Sequence, residues 1–462
     1  MKFGDLDVGP PPQIPREAYA ARRRRRLAKA MGEGNALVVA THTPKTFSND
    51  VEYTFRPHSD FWYLTGFAEP GAVLVLEGGS GRSTLFLRDR KPEEEIWTGR
   101  RLGAARAADT LGLDAAHAVE ELGSRLGQVL SGVRRVHGLA RHDPATQLRL
   151  VRAAGRRLVA EPKKVQAGGP KSGLLHRRQS RPSSHASLLL HDLRLIKEPA
   201  ELRMLQKACD LGVAAHEVAA RRVVPGAPEY HVEAAFAHHA RHHGSNGIGY
   251  PSICGCGANA AVLHYVSNLD ALRRDRVFLV DAGCEWGYYT SDITRTYPVG
   301  GRFTPVQARL YDLVLDAHQA AMRKVRPGNR FRDPHNAAVG TIVDGLLDLG
   351  YLKGRRERIL KEESYRSFFM HGTSHFLGLD VHDVGHRQTA DGRGRVLQEG
   401  MVLTVEPGLY FNTDYADCPP GTAGIGIRIE DDVSVTAGGH RNLTRRLPVE
   451  RSDVEAMVPR KR

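Results

Sequence analysis

Apolar residues fall in short blocks over the first third of this chain. "NALVVA", "AVLVLEG" and "STLFLRDR" are compact runs rich in Val, Leu and Phe, and each predicts a strand. Between and after them, "AARAADTLGL" and "AVEELGSRLGQVL" repeat their apolar residues at helical spacing. Beyond residue 186 the period lengthens. "LRLIKEPAELRMLQKACDLGVAAHEVAARRV" is a long helical pattern, in which Pro199 suits a helix start. "PGAPEYHVEAAFAHHARHHG" predicts a second helix that ends at Gly244. The character then changes to strands in "RVFLVDAG", "GYYTSDITRTYPV", "MVLTVEPGLY" and "GIGIRIEDDVSVT", with helices at about 305–325 and 335–350. Internal repeats are not evident. The order predicts a mixed α/β (α+β) protein.

Length divides this pattern into two. A chain of 462 residues exceeds one ordinary domain, so a smaller and a larger one are expected. The stretch "EPKKVQAGGPKSGLLHRRQSRPSSHAS" is rich in Pro, Gly, Ser and base, and reads as an exposed linker. The divisions are then an arm over 1–14, an N-terminal domain over 15–161, a basic linker over 162–186 and a larger domain over 187–455.

The net charge of +14 raises the question of nucleic acid. Residues 1–30 hold eight Lys or Arg against three acids, and residues 162–185 hold six against none. Most of the excess therefore sits in an arm and a linker, which read as solvated surface and not as a nucleic-acid site. The Arg22–Arg26 run reads as the exposed side of a first helix, with Leu27 and Met31 on its inner face. The N-terminus has no apolar core like that of a secretory signal, and no apolar stretch is long enough to span a bilayer. Five cysteines fit no disulfide framework, and "ICGCG" lacks the partners of a zinc site. Reduced thiols in a cytoplasmic protein are expected.

The candidate chemistry begins with an anomaly. "VFLVD" is a buried-strand pattern that closes on Asp281, "MVLTVE" closes on Glu406, and "IGIRIE" closes on Glu430. A fourth strand pattern carries Asp292 in its middle, with Thr294 and Thr296 on the same face by period two. Gly426, Arg428 and Glu430 likewise share a face. One acid at a strand end commonly caps a turn or meets solvent. Four brought together would repel unless cations lie between them, and hard divalent ions favour such oxygen donors. "FMHGTSHFLGLDVHDVGH" adds His371, His375, His382 and His386, of which His386 reads as an ordinary residue. One imidazole among four carboxylates points to Mn2+, Co2+, Fe2+ or Zn2+. Five ligands exceed what one open ion takes, so two ions sharing carboxylates around an activated water fit better.

"HYVSN", "FLVDAGCEWGYYTSDITRTYPV", "MHGTSHFLGLDVHDVG", "VLTVEPGLY" and "GIGIRIEDD" resemble, in order, the motifs of the aminopeptidase P family, the Xaa-Pro aminopeptidases. This group belongs to the pita-bread metallopeptidases of family M24, together with prolidase, methionine aminopeptidase and creatinase. "FRPHSDFWYLTGFAEPGAVLVL" and "EIWTGRRLG" resemble its N-terminal domain. The resemblance runs from about residue 15 to near the C-terminus, apart from the basic linker. It implies a C-terminal pita-bread domain behind a smaller ribonuclease-H-like α/β domain. One departure is the turn Arg274-Asp275-Arg276, where the family usually has Gly-Asp.

Carried over by position, the resemblance implies that Asp281 chelates one ion, Asp292 and Glu430 bridge both, and His375 and Glu406 complete the second. Two Mn2+ per subunit are implied. The substrates would be peptides with proline at position two, cut before the proline. His371 would donate to the carbonyl oxygen, and Glu406 would carry a proton from nucleophile to leaving nitrogen. His264 and His382 would hold the proline side, and Asp281 would receive the α-amine. Arg428 would pair with a ligand carboxylate. Tyr250 resembles part of the first-residue pocket. Trp97 resembles an aromatic reaching a neighbouring subunit's site, with core packing as its alternative. A homodimer or homotetramer is implied, with no membrane or nucleic-acid partner. Two rival readings are a prolidase confined to dipeptides and a metal-free binding scaffold on the same fold. The intact ligand positions weigh against the latter.

Overall fold

The computed structural model describes residues 16–139, 144–159, 186–388, 392–412 and 418–460. The expected arm at 1–14 and the basic linker at 162–185 lie outside them. Two compact units result, one ending at Arg194 and the other beginning at Leu195.

The N-terminal unit is built on a six-stranded mixed sheet. Its strand order is Ala115–Ala118, Ser83–Leu87, Val73–Glu77, Asn35–Ala40, Arg135–Leu139 and Leu158–Val159. The three runs read as strands form its centre, with Asn35–Ala40 antiparallel to Val73–Glu77 and parallel to Arg135–Leu139. Helices Leu122–Val129 and Pro144–Ala154 pack Leu122, Leu126 and Leu150 against Val38, Val75 and Phe86. The first helix, Arg16–Met31, buries Leu27 and Met31 as expected, but its arginine run is not simply exposed. Arg23 and Arg24 are buried. Arg24 donates to the carbonyl oxygen of Leu64 at 2.8 Å and of Leu111 at 3.1 Å. Their guanidiniums satisfy carbonyls that end other helices, work that a solvated face would not do.

In the C-terminal unit a pair of helices precedes strands twice over. Helices Pro199–Ala220 and Glu229–His242 lead to the antiparallel sheet Ile253–Cys256, Val277–Asp281, Thr294–Pro298. Helices Pro305–Met322 and Asp333–Asp348 lead to Val402–Val405, Gly408–Phe411, Ile425–Arg428 and Asp431–Thr436. This repetition of elements has no counterpart in residue identity, which is why the sequence does not display it. The long helical pattern around residue 200 breaks in two, Ala186–Leu195 and Pro199–Ala220. Pro199 starts the second helix, and Glu198 and Glu201 close a capping box around it. Asp275 takes the left-handed conformation at φ 62° in the turn before Val277, a backbone state Asp tolerates without glycine. The strand that follows is regular, with Val277, Phe278, Leu279 and Val280 all buried, each stabilising the fold by roughly 1.5–3 kcal/mol.

Candidate metal centre

Strand pairing assembles the acids. Asp281, the last residue of Val277–Asp281, lies opposite Thr294 in the antiparallel ladder. The chain leaves that ladder for the short strands Cys284–Trp286 and Tyr289–Thr290, and returns to it at Thr294. Asp292 therefore sits in the break before Thr294–Pro298 and not inside one continuous strand. Its N–H donates to Asp432 Oδ2 at 2.9 Å and not to a strand partner. Glu430 follows strand Ile425–Arg428 and bridges to Thr294, its N–H donating to the Thr294 carbonyl at 3.1 Å. Glu406 follows strand Val402–Val405 and donates its N–H to Thr373 O at 2.9 Å. The Thr404 N–H donates to the His375 carbonyl at 3.0 Å and the His375 N–H to Thr404 Oγ1 at 3.2 Å, so His375 and Glu406 are carried side by side.

The five expected ligands meet. Donor atoms of Asp292, His375 and Glu430 all lie within 4.8 Å of one another. His375 Nε2 is 3.1 Å from Asp292 Oδ2 and 3.7 Å from Glu406 Oε1. Tyr250 donates to Asp281 Oδ1 at 2.6 Å and also touches Asp292 Oδ1, which ties these two acids together. One phenolic proton cannot satisfy two ionised carboxylates. Burial, then the neighbouring Asp281, pushes the Asp292 pKa well up. Burial, then Asp292, does the same to Glu430, and burial raises Glu406 to about 7. Burial lowers His375, which keeps it in the neutral form that coordinates. A buried cluster of acids with too little positive charge, joined by a neutral imidazole, is the donor set that divalent cations stabilise.

Arg428 organises the surroundings. Its Nη2 donates to Asp281 Oδ2 at 2.5 Å, Nη1 to Tyr410 Oη at 2.8 Å and Nε to Thr294 Oγ1 at 3.2 Å. Thr294 passes its own proton to Glu430 Oε2 at 2.6 Å. The expected pairing of Arg428 with a ligand carboxylate is thus with Asp281. His371 Nδ1 lies 2.8 Å from the Gly372 carbonyl, which only accepts, so that nitrogen carries the proton. His371 Nε2 then accepts from Tyr410 at 2.7 Å. Nδ1 also faces Glu406 Oε2 at 3.6 Å. Burial lowers the His371 pKa to about 3, so its ring is neutral.

The other candidates divide. His382 sets its ring edge-on against His375, with centroids 4.4 Å apart. His264 is exposed on its loop. Trp97 belongs to the N-terminal unit, on helix Pro92–Thr98, and is 86% exposed, which rules out core packing. The sequence reading missed Tyr410, Asp432 and Arg295. Arg295 is fully buried and donates to Asp431 Oδ1 at 2.7 Å and to the Glu430 carbonyl at 2.6 Å, fixing the backbone beside a ligand. Asp431 and Asp432 directly follow Glu430, and that run of three acids was the available signal. Tyr410 had none, because Pro407 and Gly408 interrupt any period linking it to Glu406. Cys209, Cys254, Cys256 and Cys284 are buried free thiols, and among the described residues neither Cys254 nor Cys256 belongs to a cluster of three or more metal-ligating side chains.

Buried acids that converge with a histidine on a mixed α/β scaffold define a metallohydrolase. Residues 203–437 match the model of metallopeptidase family M24, and residues 20–137 match that of the aminopeptidase P N-terminal domain. The chain belongs to metallopeptidase family M24. More particularly, it is 39% identical to a Xaa-Pro aminopeptidase of Escherichia coli K12 over 96% of this chain and 98% of that protein. It is similar to proline aminopeptidase P II from Yersinia pestis, with a TM-score of 0.86 and 38% identity over 96% of this chain and 99% of that one. It is also similar to Escherichia coli aminopeptidase P with the inhibitor Pro-Leu, with a TM-score of 0.85 and 37% identity over 96% and 98%.

Proposed function

We propose that this chain is a Xaa-Pro aminopeptidase, which removes the first residue from peptides with proline at position two. Full-length likeness to enzymes of that name supports the activity, and the intact set of ligand positions weighs against a metal-free scaffold. The observation that carries the chemistry is the buried convergence of Asp292, His375 and Glu430, with Glu406 and Asp281 adjoining.

Asp281, Asp292, His375, Glu406 and Glu430 would hold two divalent ions, most suitably Mn2+. Bound there, the ions supply Lewis-acid polarisation of the scissile carbonyl and a water activated for attack. Glu406 takes the proton of that water and delivers it to the proline nitrogen, a poor leaving group until protonated. His371, with Nε2 held by Tyr410 and Nδ1 beside Glu406, would donate its Nδ1–H to the oxygen that gains charge, giving up the Gly372 carbonyl as the substrate enters. His264 and His382 would hold the proline side. Asp281 would receive the α-amine, Tyr250 would line the first-residue pocket, and Arg428 holds Asp281 in position through Nη2. Trp97, exposed and apolar, is suited to a neighbouring subunit in a homodimer or homotetramer. Residues 15–161 would form the N-terminal domain and 187–455 the catalytic one. No helix among the described residues is long and apolar enough to cross a membrane, and free cysteines suit the cytoplasm.

The test is turnover of Xaa-Pro-Xaa tripeptides beside Xaa-Pro dipeptides, before and after chelation. Loss on chelation, recovery with Mn2+, Co2+ or Zn2+, and cleavage of the tripeptides are expected. Cleavage of dipeptides alone would make the enzyme a prolidase.

A further inference from the structure

Helix Glu229–His242 and the residue after it carry four histidines within two turns: His238, His239, His242 and His243. None belongs to the candidate metal centre. Two i,i+4 pairs result, and i,i+4 imidazoles on one helix face can share an ion.

The pairs differ. His238 and His242 are both exposed, with stacked rings 5.7 Å apart. His239 and His243 are closer, at 4.1 Å between centroids with ring planes at 34°. His243 Nδ1 lies 2.8 Å from the His239 carbonyl oxygen, so Nδ1 carries the proton and Nε2 presents its lone pair. Ligating histidines are commonly held in this tautomer by a backbone carbonyl. His239 is 8% exposed, and its Nε2 has no hydrogen-bond partner among the described residues. A buried polar atom left in that state calls for an explanation. The last-turn carbonyls of the helix add a partial negative charge that favours a cation. Arg241, the nearby positive side chain in sequence, is turned to the Ser245 carbonyl.

We propose that His239 and His243 form a second, peripheral site for a borderline transition-metal ion such as Cu2+, Ni2+ or Zn2+, bound as a two-imidazole chelate completed by water. Imidazole donors select these ions over Mg2+, Ca2+ and Mn2+. Burial, reinforced by His243, His242 and His238, lowers the His239 pKa to about 4, so the ring is neutral and available at ordinary pH.

The experiment uses the untagged enzyme with its catalytic centre saturated by Mn2+. Cu2+ is added in equilibrium dialysis, and the bound copper is observed by electron paramagnetic resonance. One Cu2+ above the catalytic complement, with couplings from two nitrogens, is expected. H243Q, at a half-buried position, should weaken this uptake by about tenfold or more while turnover of Xaa-Pro peptides is retained. H239Q should do the same, with its fold checked by thermal melting. The double variant H238Q/H242Q should keep the extra ion. Equal uptake by H243Q and the parent, or loss of the ion in H238Q/H242Q instead, overturns the assignment.

Discussion

Each nitrogen of the Arg428 guanidinium serves a different part of the centre: Asp281, Tyr410 and, through Thr294, Glu430. Lysine offers a point charge without the planar fork and can satisfy only part of this set. R428K should therefore weaken metal binding by about 10–100-fold, as loss of groups that orient ligands does, which competition with a chelator would measure. Glu406 is the other informative residue. E406Q keeps the shape but removes proton transfer, and also a charged ligand, so with ions replenished to full occupancy kcat should fall far more than KM. Near-normal turnover with ions bound would take Glu406 out of that role. At this scale the acids were legible, because a buried-strand pattern closing on a carboxylate is anomalous wherever it occurs. Tyr410 was not, since its partners His371 and Arg428 are 39 and 18 residues away in the chain. Nothing local marks a tyrosine as the link between them.

At the scale of elements, the site depends on how closely segments approach. Gly283 follows Asp281 by two residues, and a Cβ there would stand 1.9 Å from the Ser291 carbonyl oxygen and 2.9 Å from Tyr250. Backbone on the far side cannot yield as a flexible side chain can. G283A should thus push the Asp281 and Asp292 segments apart, costing about 1–3 kcal/mol of stability in denaturant melts and weakening metal uptake with it. Unchanged stability and uptake would show that the segments have slack. Local pattern served the elements well where a short apolar run is buried throughout, as in Asn35–Ala40 and Val277–Asp281, or where one helix face is buried, as in Glu229–His242. It misplaced Asp292 in a continuous strand, because alternation does not register that Asp432, 140 residues on, takes the Asp292 N–H. The same holds for Arg23 and Arg24, whose burial depends on carbonyls supplied by other helices.

For the whole molecule, metal and pH are coupled. Without ions, Asp292 and Glu430 have folded pKa values well above their unfolded ones, and Glu406 is raised from 4.5 to about 7, burial being the main cause for all three. Groups raised in this way contribute stability that is present below the unfolded pKa and lost as pH rises through the folded one. The chelated protein should therefore melt at lower temperature at pH 8 than at pH 6.5. Buried His216, lowered to about 4, acts with the opposite sign, but mainly below that window. Mn2+ binds the deprotonated acids, so it should raise the midpoint, and more at pH 8 than at pH 6.5. Each ion at 100 times its Kd adds about 2.7 kcal/mol. Identical melts with and without Mn2+ at both pH values would mean that the acids hold no ion.

The sequence by itself determined the mixed α/β class, most strands and helices, and which acids and histidines are candidates for the chemistry. These follow from short-range rules: period, capping and the cost of ending a buried run on a charge. Only the tertiary structure decided that Asp281, Asp292, His375, Glu406 and Glu430 share one pocket, and that Arg428, Thr294 and Tyr410 brace it. Those contacts join residues up to 147 positions apart. Their energies exist only once two sets of strands have packed, which no local pattern encodes.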